Sequence, residues 1–173
     1  MFRHLVVAAI VAAFAVTPAM AAKKSFTATM SGHVDTSNTQ SNATGKGVIT
    51  VDADKQTVDM TIDVVGLKIA DLWTKLVEAP VGPIHLHNYK ADGVVDLVLP
   101  APFGAAYADT PRGFSVTMKG YSYQEGAKLL KSDLSFDDFV KALAGGQVVL
   151  NVHTNRFSNG EISGKVTPAK GRG

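Results

Sequence analysis

Three histidines in this 173-residue chain have the setting and spacing to hold a metal ion. His85 and His87 stand in Ile84-His85-Leu86-His87-Asn88. In an extended segment alternate residues point to the same side, so both imidazoles project from one face. His153 ends Val148-Val149-Leu150-Asn151-Val152-His153, where Val148, Leu150 and Val152 take one face and Val149, Asn151 and His153 the other. On neighbouring strands, opposed Cβ atoms lie ~5 Å apart. Three imidazoles so placed could bind Zn²⁺ or Cu²⁺, with zinc–nitrogen distances of about 2.0–2.1 Å. Glu161, Asp96 or a water could supply a fourth ligand. The same spacing also admits a structural cluster, with rings bonded to backbone carbonyls and Thr154 that fasten one strand to the next.

The elements that must position these rings read as β. Ser158-Asn159-Gly160 predicts a hairpin turn, and Ile162, Gly164 and Val166 then alternate with Glu161, Ser163 and Lys165 on a return strand. Asp92-Gly93 predicts another turn, with Pro83–Tyr89 before it and an apolar strand Val94–Leu99 after it. Phe26, Ala28 and Met30 alternate in a first strand, Gly47–Val51 forms a second, and Val58, Met60, Ile62 and Val64 alternate in a third. Asp35–Asn42 is polar enough for a loop, as are 100–104 and 107–111, and Phe114–Gly120 resumes the alternation. Two helices are predicted in connections. Ala70–Glu78 could form one short helix, ended by Pro80 and Pro83. Ser135 caps a second helix with Asp138 at its third position; Phe136, Phe139, Val140 and Leu143 line one face and Gly145 is the residue just past its end. Trp73 is either a core plug or an exposed anchor for a ligand.

Three ordered motifs, His85-Leu86-His87, then Leu150-Asn151-Val152-His153-Thr154, then Gly160-Glu161-Ile162-Ser163-Gly164, resemble the CHRD domain. That module is named after chordin and also occurs in bacterial secreted proteins. The resemblance implies an all-β, antiparallel Greek-key sandwich or barrel, immunoglobulin-like or copper–zinc superoxide-dismutase-like, with one or two short helices in its connections. It also implies an extracellular setting, as in chordin, an antagonist of bone morphogenetic proteins. Where the family carries a Glu-Val-Pro-type segment, this chain has Gly32-His33-Val34-Asp35-Thr36, and Asp35 is the nearest acidic counterpart.

Other chemistry is constrained by what the chain has to offer. Asp52, Asp54, Asp59 and Asp63 lack the central Gly and terminal Glu of an EF-hand loop and read as solvated strand residues. A copper–zinc superoxide dismutase centre needs about seven ligand groups. Beyond the leader only His33, His85, His87 and His153 remain, and the chain has no cysteine. There is no Gly-x-Ser-x-Gly elbow and no His-Glu-x-x-His, so the reading is non-catalytic. Thiolate metal sites and disulfides are excluded with the cysteines.

The first residues read as an export signal. Arg3 and His4 precede an apolar run from Leu5 to Val16, and Thr17–Ala21 offers a small-residue cleavage site, so 1–21 is the predicted leader. The run is too short to span ~30 Å of hydrocarbon as a helix. Residues 22–173 then form one domain, with its core over about 25–168. The net charge of +2 falls to +1 once Arg3 leaves, and the lysines are scattered, which excludes a nucleic-acid footprint. The sequence thus predicts an exported protein, periplasmic or extracellular, without a transmembrane segment after cleavage. Its predicted role is a non-catalytic binding or envelope-structural module whose partner is another extracytoplasmic protein or an envelope polymer. The alternative is a small metalloprotein holding copper or zinc through His85, His87 and His153.

Overall fold

A computed structural model of the chain describes residues 23–170, so the predicted leader lies outside the described residues. The strands are β1 (Lys24–Ser31), β2 (His33–Val34), β3 (Ser37–Asn38), β4 (Thr44–Asp52), β5 (Thr57–Val65), β6 (Ile84–Tyr89), β7 (Val95–Ala101), β8 (Tyr107–Thr110), β9 (Gly113–Ser122), β10 (Val148–Val152) and β11 (Ile162–Pro168). Three α-helices, α1 (Thr74–Val77), α2 (Tyr123–Leu130) and α3 (Phe136–Ala144), and one 3-10 turn (Ile69–Asp71) lie in the connections. Nine strands form one antiparallel sheet in the order β7-β6-β10-β11-β1-β4-β5-β9-β8. Neighbours distant in sequence, β6 beside β10, β11 beside β1 and β5 beside β9, give it Greek-key crossovers. Among the described residues no helix is long and apolar enough to cross a membrane.

Period-two burial explains how the sheet closes on itself. Gly45, Gly47, Ile49 and Val51 of β4 all point inward, as do Val58, Met60, Ile62 and Val64 of β5. The sheet curls until β4 meets β10 and β11 across the core. A Cβ added at Gly47 would stand 2.6 Å from Leu150 Cδ2, and one at Gly45 would stand 3.4 Å from Ile162 Cδ1. The glycines therefore leave the space that Leu150 and Ile162 fill. The predicted all-β sandwich or barrel is the observed fold.

Helix α3 forms where its apolar spacing predicts, and Ser135 Oγ accepts the Asp138 amide at 3.1 Å. Phe139 and Leu143 are fully buried. The left-handed residue beyond this helix is Gly146 (φ 66°) rather than Gly145, which still has helical angles. Helix α2 was not predicted, although Ser122 followed by Glu125 is a cap signal, and Ser122 Oγ does accept the Glu125 amide. It packs on β7 and β9, with Gly126 against Leu99.

The predicted helix over 70–78 is interrupted. Leu72 forms a β-bridge with Thr154, and the Trp73 amide donates to the His153 carbonyl at 3.1 Å. Pairing with a strand end holds this dipeptide extended and leaves a 3-10 turn before it and one α-turn after it. Asn155 secures the join, accepting from the Thr74 amide and donating to the Leu72 carbonyl. The β10–β11 connection also departs from a tight hairpin: β10 ends at Val152 and β11 begins at Ile162, and only Gly160 (φ 116°) of the Asn159-Gly160 pair takes positive φ. Residues 107–110, read as loop, form edge strand β8, and β7 runs on through Pro100 to Ala101. Proline is tolerated there because β7 is an edge strand.

Gly164 tests the closeness of β11 to β1. A Cβ there would run into the Thr29 carbonyl, a backbone group that cannot rotate away. Gly164→Ala is expected to lower unfolding stability by about 3 kcal/mol, read from the urea midpoint.

Candidate metal centre

Register, rather than sequence proximity, brings the three imidazoles together. In the β6–β10 ladder Asn151 lies opposite His85 and Val149 opposite His87. His153 follows two residues after Asn151 and reaches the pair diagonally, with its amide donating to the Pro83 carbonyl at 2.9 Å. Ring centroids of His85 and His153 are 5.0 Å apart, of His87 and His153 5.7 Å, and of His85 and His87 5.8 Å. One ligating nitrogen from each ring lies within 4.8 Å of the others, and among the described residues this is the one such group of histidine and acidic side chains. The predicted convergence is observed, though the directly opposed partner of His85 is Asn151.

This face of the sheet is polar in sequence yet buried in the protein. His85 is 3% exposed and His153 6%, while His87 is half-buried. Two connections cover it. On one side the segment ending in Trp73 lies over His153, with ring centroids 6.5 Å apart. Trp73 is thus half-buried beside the cluster, neither plugged into the core nor fully exposed. On the other side the 33–41 connection binds the β10–β11 loop and β11: Ser37 Oγ donates to the Gly160 carbonyl, Thr39 Oγ1 to the Glu161 carbonyl, and Thr36 Oγ1 pairs with Ser163 Oγ at 2.6 Å.

Hydrogen bonds set the protonation of the rings. His153 Nδ1 lies 2.8 Å from the Ser158 carbonyl, an acceptor only, so Nδ1 carries the proton and Nε2 offers a lone pair. That Nε2 lies 3.3 Å from His85 Nδ1, which donates to it when both rings are neutral. His85 Nε2 and His87 Nε2 are buried with no hydrogen-bond partner. Burial, followed by repulsion from His153 and then His87, lowers His85 from 6.5 to about 3, with backbone of Gly82 and Val81 opposing. Burial and then His153 lower His87 to about 4. Burial lowers His153 as well, against the bond to Ser158. At neutral pH all three rings are therefore uncharged.

Neither predicted carboxylate ligand joins them. Glu161 is buried, but its two oxygens accept from Ser41 Oγ and Thr154 Oγ1, each at 2.6 Å. It ties the 33–41 connection to the residue after His153 and so positions the loop. Asp96 lies opposite Asn88, on the other face from the histidines, and pairs with Lys90 at 2.6 Å. His33 stands apart, exposed and bonded to Gln40. Asp35 is exposed on the β2–β3 turn, while Asp52 and Asp59 pair with Lys23 and Lys119. The bond from His153 to the Ser158 carbonyl is the kind of ring-to-backbone contact expected of a structural cluster, whereas sequence reasoning missed the Trp73 cover and the Ser41–Glu161–Thr154 network. Only the last left a signal, in the Thr154 and Glu161 of the two motifs.

The family model for the CHRD domain matches residues 26–166, from β1 through to β11. The chain belongs to the CHRD family. No curated protein and no solved structure matches it. The matched span of this CHRD domain contains all three histidines and both connections that cover them.

The lowered pKa values fix a direction for acid stability. Above pH 6.5 the rings are neutral in both folded and unfolded chains. As pH falls below that, the unfolded chain takes up protons that His85 and His87 refuse until about 3 and 4. Stability is therefore complete above 6.5 and declines through this window. Urea midpoints of metal-free protein between pH 6.5 and 4.5 should report a loss of about 1.4 kcal/mol per pH unit for each of these two rings. His87→Gln should reduce the slope by one such contribution.

Proposed function

We propose that this CHRD-domain protein is exported and holds one copper or zinc ion through His85, His87 and His153, without catalysing a reaction. The observation that carries the reading is the nitrogen pair at 3.3 Å, His85 Nδ1 and His153 Nε2. Two ligands of a tetrahedral ion at 2.0–2.1 Å are themselves separated by about 3.3 Å. Once the His85 proton moves from Nδ1 to Nε2, an ion between the two nitrogens would take both lone pairs, and His87, whose ligating nitrogen lies within 4.8 Å of the others, would complete the set.

The donor set fits such an ion in three further respects. The nitrogens are neutral at physiological pH, so an incoming ion displaces little proton. The Ser158 carbonyl holds the His153 tautomer with Nε2 free, as an outer partner of a ligating imidazole does. The buried His87 Nε2 has no hydrogen-bond partner, at a cost of about 1–3 kcal/mol that coordination through this nitrogen would relieve. When bound, the ion would cross-link β6 to the end of β10. The leader-like start of the chain and the family's extracellular setting support export to the periplasm or beyond.

The other reading, a binding or envelope-structural module for an extracytoplasmic protein or polymer, is supported by family membership alone. The histidine geometry favours the metal.

Stripping the mature protein with chelator and then adding Zn²⁺ or Cu²⁺ tests this. Metal at about 100 times its dissociation constant stabilises the native state by about 2.7 kcal/mol. For a domain of this size that raises Tm by about 5–10 °C. Trp73, the one tryptophan in the chain, should lose fluorescence as Cu²⁺ binds. An unchanged Tm at saturating metal, or a shift retained in His87→Gln and His153→Gln alike, would refute the site.

A further inference from the structure

Resting on the reading just given, we propose that the three-histidine pocket selects monovalent copper over divalent ions. The reason is charge. Every donor the pocket offers is neutral, and no carboxylate oxygen joins the group of three nitrogens. Both oxygens of Glu161 are taken by hydroxyls, and Asp96 is turned to the opposite face and paired with Lys90. Asn151, directly across from His85, is an uncharged amide that lies against Gly160 and donates to the Asn159 carbonyl.

The walls are apolar as well. Register places Val149 and Leu97 on either side of His87, and Pro100 beside His85. Trp73 covers His153 from outside. A charge that the ladder does set on this face is Lys165, opposite Val149, and it is positive. The penalty for taking an ion out of water grows with the square of its charge, so a divalent ion bears about four times that of a monovalent one here. In most divalent sites a carboxylate or thiolate neutralises part of that charge. This pocket has no such ligand.

Coordination number points the same way. Three protein nitrogens satisfy a d¹⁰ cuprous ion without further ligands. Cu²⁺ wants a tetragonal set, and Zn²⁺ a fourth donor. Either would have to take the amide oxygen of Asn151, buried without a partner opposite His85, or carry water into a site where two of the rings are almost fully buried.

The test uses the full mature protein, metal-free. Under anaerobic conditions Cu⁺ is titrated against bicinchoninate, a cuprous chelator, and Zn²⁺ and Cu²⁺ are titrated separately against a divalent-metal chelator. One Cu⁺ per chain should bind, at least about 100-fold more tightly than Zn²⁺, and the complex should stay silent in electron paramagnetic resonance after exposure to air. Zn²⁺ or Cu²⁺ held as tightly, with loss in His87→Gln, would leave the metal site standing and overturn the cuprous preference. Binding of no ion at all would remove the site itself.

A second variant tests charge without emptying the pocket. Leu97 is 37% exposed and faces His87 across β6 and β7, so Leu97→Glu can place a carboxylate at the rim with little disturbance of folding. It should narrow the preference for Cu⁺ over Zn²⁺ by about tenfold or more. An unchanged ratio in folded Leu97→Glu would overturn the electrostatic account of selectivity.

Discussion

The pairing of β6 with β10 governs this molecule, because it places Asn151 against His85 and Val149 against His87 and leaves Leu86 and Leu150 facing the core. The side-chain period of a strand is two, so a slip of β6 by one residue would send both of its histidines inward and expose Leu86. The core resists that slip strongly: Ile84, Leu86, Val148, Leu150 and Val152 are all fully buried. Hydrophobic packing on one face thus fixes the geometry of polar chemistry on the other. His153 depends on the same ladder, since its amide continues the pairing onto Pro83 just where the formal strand ends.

A polar sheet face is normally left to water, and here two irregular connections remove the water. The 33–41 connection and the Leu72–Trp73 segment both attach to the β10–β11 loop through backbone and hydroxyl bonds. Burial keeps the rings neutral and leaves two nitrogens without partners, while the Ser158 carbonyl holds the His153 tautomer. Such groups weaken a metal-free protein. A large apolar core spanning both sides of the curled sheet supplies the stability that tolerates them, with no disulfide to help.

Much of this was readable before any coordinates. Strand alternation in β1, β4, β5, β10 and β11 follows from period-two patterning, and α3 from its apolar spacing and Ser135 cap. Convergence of His85, His87 and His153 followed from their faces together with the family motifs. What sequence could not supply was tertiary. Ala70–Glu78 has local helical character, but pairing of Leu72 with Thr154 overrides it, and nothing local encodes that bridge. The Asn159-Gly160 signal suggests a tight turn, yet the loop lengthens because Thr154, Asn155 and Ser158 are occupied with the neighbouring segments and His153. In sequence Glu161 is open, with Asp96 or a water, as a fourth ligand; the hydroxyls of Ser41 and Thr154 engage it instead. Helix α2 carried its cap at Ser122 and was still missed, since its short, mixed pattern has no long apolar stripe.

The outer strand β7 bears on how the folded protein behaves in company. Beside His87 its ladder skips, leaving Val98 as an extra residue, and Pro100 has no N–H to give. Val94, Val95 and Leu97 are exposed along that same border. An unbroken, flat border with those side chains would invite a second molecule to add its own strand and nucleate fibrils. The bulge and the proline interrupt the template that such a border would offer to a second strand.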